Sequence, residues 1–387
     1  MKKKDYQKLS IQAHRKTKGK LAIASKFNLN NRHDLSIAYT PGIAGPARAI
    51  AKNKALVREL TIKSNSVAVI SDGSAVLGLG NIGPEAALPV MEGKAILFKR
   101  FGNIDAYPIC LATQDTEEII RTIKNISVGF GGINLEDISA PRCFEIEERL
   151  KEELDIPVMH DDQHGTAIVV LAGLINALKV VGKKKEKVKV VINGAGAAGI
   201  AITKLLYLYG MKNIIVCDTR GILSKKRGDL NNVKEKILSI TNKGNDTGLL
   251  SDALVEADIF IGVSAANVLK PEWIERMSDN PIVIAMANPN PEITLENARK
   301  TKIKVFGTGR SDWPNQINNS LVFPGIFRGI LDAKAKQITE AMKIAAALAL
   351  AAVVKNPTAT KIIPDPFDKK VVPAISNAIK KLAGQRR

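Results

Sequence analysis

The chain has 387 residues, long enough for two hydrophobic cores, and its 45% hydrophobic and 25% charged residues are an ordinary globular mixture. Only 4% of it is aromatic, which argues against a base-stacking surface for RNA or single-stranded DNA. The formal net charge is +19, yet the lysines are scattered rather than striped, so solvated basic faces that attract anionic substrates account for it better than a nucleic-acid or membrane partner.

The first twenty residues are rich in Lys and Arg (Lys2, Lys3, Lys4, Lys8, Arg15, Lys16, Lys18, Lys20), with no apolar run behind them, so no signal peptide is expected. Cys110, Cys143 and Cys217 have neither zinc nor disulfide spacing and read as buried thiols of a cytoplasmic protein. Strand-like and helix-like segments then alternate, which predicts an α/β fold. Residues 67–70 read as a strand, 85–101 as a helix opened by Pro84, and 115–126 as a helix with an acidic start. Residues 158–159 read as a short strand and 166–181 as an apolar helix. The basic run 183–189 reads as a surface connection. A βαβ unit follows: strand 188–192, a glycine loop, a helix through Tyr209 and strand 214–217. Further strands fall at 259–261 and 282–284, and the tail is helical over 333–354 and 373–382. Its most apolar run, 344–354, is too short to span a bilayer, which takes roughly 20 residues. The expected architecture is an N-terminal α/β catalytic domain (1–160), a Rossmann-type doubly wound dinucleotide-binding domain (161–332), and C-terminal helices (333–387) packing back on the first domain.

Gly-x-Gly-x-x-Gly occurs twice. The copy Gly194-Ala195-Gly196-Ala197-Ala198-Gly199 follows an apolar strand, opens a helix, and precedes a strand that ends at Asp218, where a ribose 2′-hydroxyl ligand belongs. The pyrophosphate would sit on the helix N-terminus; the bland alternative is a tight packing turn. Asp218 favours NAD over NADP, whereas Arg220 can instead hold a 2′-phosphate. The copy Gly78–Gly83 has no such acid. It shapes a turn or offers N–H groups to an anion.

Two acidic pairs, Glu136-Asp137 and Asp161-Asp162, each read as a strand end running into a loop, where α/β active sites gather. Carboxylates converging there would repel one another without a cation, and oxygen ligands suit a hard divalent metal. Helix capping or surface ion pairing remains the alternative, and His160 and His164 read as packing or supporting groups. Lys94 stands in an otherwise apolar helix. A desolvated lysine has a lowered pKa and can act as a base, unless it snorkels to the surface. Tyr39 stands in a turn and can equally be packing.

These residues lie in strings that occur in order: Tyr39-Thr-Pro-Gly42, Ser71 through Pro84, Met91-Glu-Gly-Lys94, Asn134-Leu-Glu-Asp137, His160-Asp-Asp-Gln-His-Gly-Thr166, Ala287-Asn-Pro-Asn-Pro-Glu292 and Gln316 through Gly325. Together they resemble the malic enzymes of the short bacterial type, from about residue 10 to residue 385. The resemblance implies Tyr39 as general acid and Lys94 as general base. It implies Glu136, Asp137 and Asp162 as ligands of Mg²⁺ or Mn²⁺, with Asp161 beside them as a supporting acid. Asn288, Asn318 and Asn319 would meet L-malate or the nicotinamide end, and Thr166 with the residues from Gly194 to Gly199 would meet the NAD or NADP cofactor. It also implies a homodimer that converts malate to pyruvate and CO2, with malate-to-lactate conversion as the nearest alternative. One departure stands out. Longer relatives carry a carboxylate-clamping arginine before Leu-Gly-Leu-Gly, and this chain has Ser74-Ala-Val-Leu77 there, leaving the Gly78–Gly83 N–H groups and two asparagines as candidates.

Overall fold

A computed structural model of the chain describes residues 5–76 and 78–384; Lys2, Lys3, Lys4 and Leu77 therefore lie outside the described residues. Two sheets organise it. The first has the order β2-β1-β3-β4, from β1 (Ser66–Ser71), β2 (Asp105–Cys110), β3 (Gly132–Leu135) and β4 (Val158–His160), all parallel. β1, β3 and β4 are buried along their whole length, as expected of strands covered on both faces by crossover helices. The second sheet has the order β10-β9-β8-β5-β6-β7, from β5 (Lys189–Asn193), β6 (Asn213–Asp218), β7 (Gly221–Ile222), β8 (Ile259–Gly262), β9 (Ile282–Ala285) and β10 (Val305–Thr308). It is parallel except for the antiparallel edge pair β6–β7. β5 is its first strand and has β6 on one side and β8 on the other, so the strand order reverses there. The loops after β5 and β8 open a crevice at the strands' C-terminal ends.

The helix Asp161–Val181 joins the two sheets and starts five residues earlier than the sequence pattern suggested. Asp161 and Asp162 therefore occupy its first turn and not a loop, where carboxylates suit the helix dipole. Although long and apolar enough to cross a membrane, this helix is the buried spine of the core. The tail also differs from expectation. Ala333 ends a helix that begins at Phe323, and the next one runs only from Glu340, capped by Thr339, to Val353. The last helix, Val371–Gly384, lies on Phe323–Ala333, which packs in turn against Pro84–Gly102 of the first sheet's layer. Phe98, Phe323 and Phe327 stack at that contact, with centroids 4.6 and 5.3 Å apart. Of the cysteines, Cys143 and Cys217 are buried and Cys110 is only half-buried.

Candidate active site

Between the sheets lies a cleft of about 620 Å³. From the first sheet's layer it receives Lys94, Glu136 and Asp137; from the joining helix, Asp162 and Thr166; from the second sheet's layer, Ala198, Ser264, Asn288, Asn318 and Asn319. Each side chain has a structural reason to point there. Glu136 and Asp137 continue β3 past its last paired residue. Asp137 is held in the left-handed region at φ 54°, a conformation aspartate tolerates better than most residues, and its N–H donates to Asp162 Oδ2 at 2.8 Å. This places one oxygen each from Glu136, Asp137 and Asp162 within 4.8 Å of one another. Glu147, on the neighbouring Arg142–Glu153 helix, holds the start of the Asp161–Val181 helix: Oε1 accepts the His160 N–H at 2.9 Å and Oε2 meets His164 Nε2 at 2.8 Å. Burial pushes the His164 imidazole down to about 4. The histidines thus support the site without entering it.

Lys94 is buried. Its Nζ donates to Asp161 Oδ2 at 2.5 Å, ion-pairs with Glu136, and lies 4.7 Å from the centre of the Phe323 ring. The expected low pKa is not found. Burial does favour the neutral amine, but Asp161, Glu136 and Asp162 outweigh it and hold the ammonium well above its ordinary value. The same burial pushes Glu136 up. Four carboxylates around one ammonium leave formal charges of −4 and +1, a net −3, in a space where Glu136, Asp137 and Asp161 are buried and Asp161 Oδ1 has no hydrogen-bond partner. An all-oxygen donor set with surplus negative charge fits a hard divalent cation.

The glycine loop has the shape its pattern predicted. A Cβ on Gly199 would lie 1.8 Å from Gly194 O, so the helix Ala197–Tyr209 starts directly against the loop. A Cβ on Gly196 would touch nothing within 4 Å, which leaves open space at the helix N-terminus where a pyrophosphate can approach the backbone. A second cleft of about 710 Å³ extends from Gly194, Ala195 and Gly196 to Asp218. Asp218 is not a bare acid. Its carboxylate accepts from Arg227 at 2.8 and 3.2 Å, from Lys234 at 2.6 Å and from the Arg220 N–H at 2.9 Å, while the Arg220 guanidinium turns away to Asp229 at 3.0 Å. Arg227 and Lys234 escaped the sequence reading because only the tertiary fold brings them to the strand end. The other glycine string is a turn: the Ile82 and Gly83 N–H groups donate to Gly73 O, and Leu79 N–H donates to Val76 O. Arg142, also unremarked in sequence, ties the preceding turn together through Asp72, Ser74 and Ser139 at 3.0 to 3.1 Å. Tyr39 does not line the cleft; its side chain is 65% exposed.

A dinucleotide crevice that meets an acidic trio and a buried lysine at the seam of two mainly parallel sheets defines a two-domain, dinucleotide-dependent oxidoreductase. Comparison makes the class particular. Residues 18–151 match the malic enzyme N-terminal domain and residues 163–381 the malic enzyme NAD binding domain, and the chain belongs to the malic enzyme family of NAD(P)-dependent decarboxylating oxidoreductases. It is 54% identical to a bifunctional malic/malolactic enzyme of Bacillus subtilis, over 97% of this chain and 92% of that protein. It is 57% identical to an NAD-dependent malic enzyme of Geobacillus stearothermophilus, over 93% of this chain and 76% of that one. The crystal structure of an NAD-dependent malic enzyme from Thermotoga maritima superposes with a TM-score of 0.93 at 50% identity, covering 96% and 98% of the two chains.

Proposed function

We propose that this protein oxidises and decarboxylates L-malate to pyruvate and CO2 with reduction of NAD, dependent on a divalent cation held by Glu136, Asp137 and Asp162. The observation that carries this reading is the net negative carboxylate cluster around Lys94 in the same cleft as Ala198 and Asn288. Mg²⁺ or Mn²⁺ at the trio would supply Lewis-acid polarisation of the substrate hydroxyl. Lys94 is the base for the hydroxyl proton, and Asp161 fixes its Nζ. Engaging Glu136 and Asp162 on the cation would remove two of the three charges that hold the ammonium and move Lys94 toward the neutral amine the base requires. Asn288, Asn318 and Asn319 orient substrate and nicotinamide. NAD is preferred because Arg227 and Lys234 already have carboxylate partners; a 2′-phosphate would have to displace Asp218, whereas a ribose hydroxyl can donate to it.

We also propose a cytoplasmic homodimer. The helices Arg32–Ala38 and Ala44–Lys52 bury no residue, while Leu35, Ile37, Tyr39 and Ile43 are exposed, an apolar patch that a second copy would cover. Tyr39 then serves as general acid in the cleft of the other copy. A second reading, malate to lactate with the dinucleotide retained, rests on the B. subtilis relative's malolactic name. Mn²⁺-dependent reduction of NAD by malate tests the main reading: Asp162→Ala should abolish it, and turnover that survives EDTA would refute the cation assignment.

A further inference from the structure

The cleft has no arginine among the described residues that line it, although malate brings two carboxylates. One carboxylate is accounted for by the Glu136–Asp137–Asp162 trio. The other lacks a cation. Arg142 is spent on Asp72, Ser74 and Ser139, and three N–H groups of the Gly78–Gly83 turn are spent on Gly73 and Val76. The three asparagines are uncharged. The basic side chains lining the cleft are His14, Lys20 and Lys94, and Lys94 is locked between Glu136 and Asp161.

Lys20 is differently placed. The helix Tyr6–Thr17 ends in two left-handed residues, Lys18 at φ 53° and Gly19 at φ 100°, which turn the chain back over the helix Pro84–Gly102. Glu92 secures that turn, its Oε2 accepting the Lys20 N–H at 3.1 Å. The Lys20 Nζ then lies along the helix, donating to Pro89 O at 2.7 Å. A Cβ on Gly93, the residue before Lys94, would come within 3.4 Å of it, so the missing side chain at Gly93 gives the ammonium its place next to the base. Among the described residues the ammonium's one hydrogen bond is to a backbone carbonyl and no carboxylate lies within 4.0 Å, the nearby Glu92 being engaged on the Lys20 N–H, so two of its three N–H groups have no partner there.

We propose that Lys20 binds the malate carboxylate that is not chelated at the acidic trio, taking over the work of the arginine found in longer relatives. This rests on the malate reading above. A lysine here is a point charge on a flexible stem and not a rigid fork, so it holds a carboxylate without fixing its plane. It discriminates a dicarboxylate from the monocarboxylate product, which has nothing left for it to bind.

The test uses the full-length protein with Mn²⁺ and NAD, comparing L-malate as substrate with oxalate as inhibitor; oxalate carries the chelating pair of oxygens but no distal carboxylate. Lys20→Gln should raise KM for malate about tenfold to a hundredfold, the worth of a charge-assisted hydrogen bond. It should leave the oxalate Ki and the NAD KM within about twofold. Lys20→Arg should recover part of the loss, and Lys20→Met, which keeps the packing stem, should not. An unchanged malate KM in Lys20→Gln overturns the assignment. So does a parallel weakening of malate and oxalate, which would make Lys20 merely a brace on the helix. A wild-type protein that does not reduce NAD with malate overturns the malate reading itself, and the proposal with it.

Discussion

Gly165→Ala perturbs the base chiefly through Asp161, with a lighter contact on Asn319. Gly165 lies in the second turn of the helix Asp161–Val181, where helix propensity alone favours alanine by about 1 kcal/mol. A Cβ there would lie 1.9 Å from Asp161 Oδ1, 2.8 Å from its Cγ and 3.1 Å from Asn319 Cβ, far inside ordinary contact at about 3.5 Å. Asp161 is wholly buried, so its carboxylate has to rotate away, and its 2.5 Å bond to Lys94 goes with it. A charge-assisted hydrogen bond is worth about 1.5–3 kcal/mol, which at about 1.36 kcal/mol per decade predicts a kcat lowered about 10- to 150-fold. Initial rates at saturating malate, NAD and Mn²⁺ measure this, and fluorescence titration with NADH should show unchanged dinucleotide binding. A variant with a higher Tm and a kcat within about twofold of wild type would refute the claim that Asp161 positions the base.

Lys94→Ala should lose about 10²- to 10⁴-fold in kcat, the span of general-base contributions, with NADH affinity kept; steady-state rates and the same titration check both. Asp218→Ala should raise KM for NAD and lower KM for NADP by freeing Arg227 and Lys234 for a 2′-phosphate, and an unchanged KM ratio would remove Asp218 from cofactor choice. Asp258 accepts from Lys183 at 2.6 Å, Ser278 at 2.7 Å and the Lys189 N–H at 2.8 Å; burial raises its pKa, but these bonds outweigh it and hold the carboxyl below its ordinary range. A depressed folded-state pKa stabilises the fold above the unfolded value of about 3.9 and loses that effect as pH falls through the folded value. Denaturant titrations should therefore show Asp258→Asn destabilised by about 1–3 kcal/mol near neutral pH, with the difference shrinking in acid.

What could be read from the sequence was local. The loop Gly194–Gly199 lies between its strand and helix within a short span, and the structure gives Gly194 and Gly199 a steric reason. The acidic pairs could be located but not shaped, because the start of the helix Asp161–Val181 depends on Glu147 and Asp137 from other elements. The Lys94 pKa was expected to fall because an apolar helix was visible in the sequence and its carboxylate neighbours were not. The helix Phe323–Ala333 was hidden by Pro324, Gly325 and Gly329, which weaken the local helical pattern. In the fold those glycines are the groove for the last helix: a Cβ on Gly325 or Gly329 would lie 2.8 or 2.7 Å from Cβ of Ile375 or Ile379. Lys20 gave no signal at all, since only the turn at Lys18 and Gly19 brings it to the cleft.

If this cleft oxidises malate as proposed, it releases both the reduced dinucleotide and the keto acid. Absorbance of reduced nicotinamide, followed alongside NMR of the carbon products with L-malate, NAD and Mn²⁺, tests it most directly. NADH and pyruvate should accumulate in equal amounts. Lactate appearing with no net NADH would contradict it.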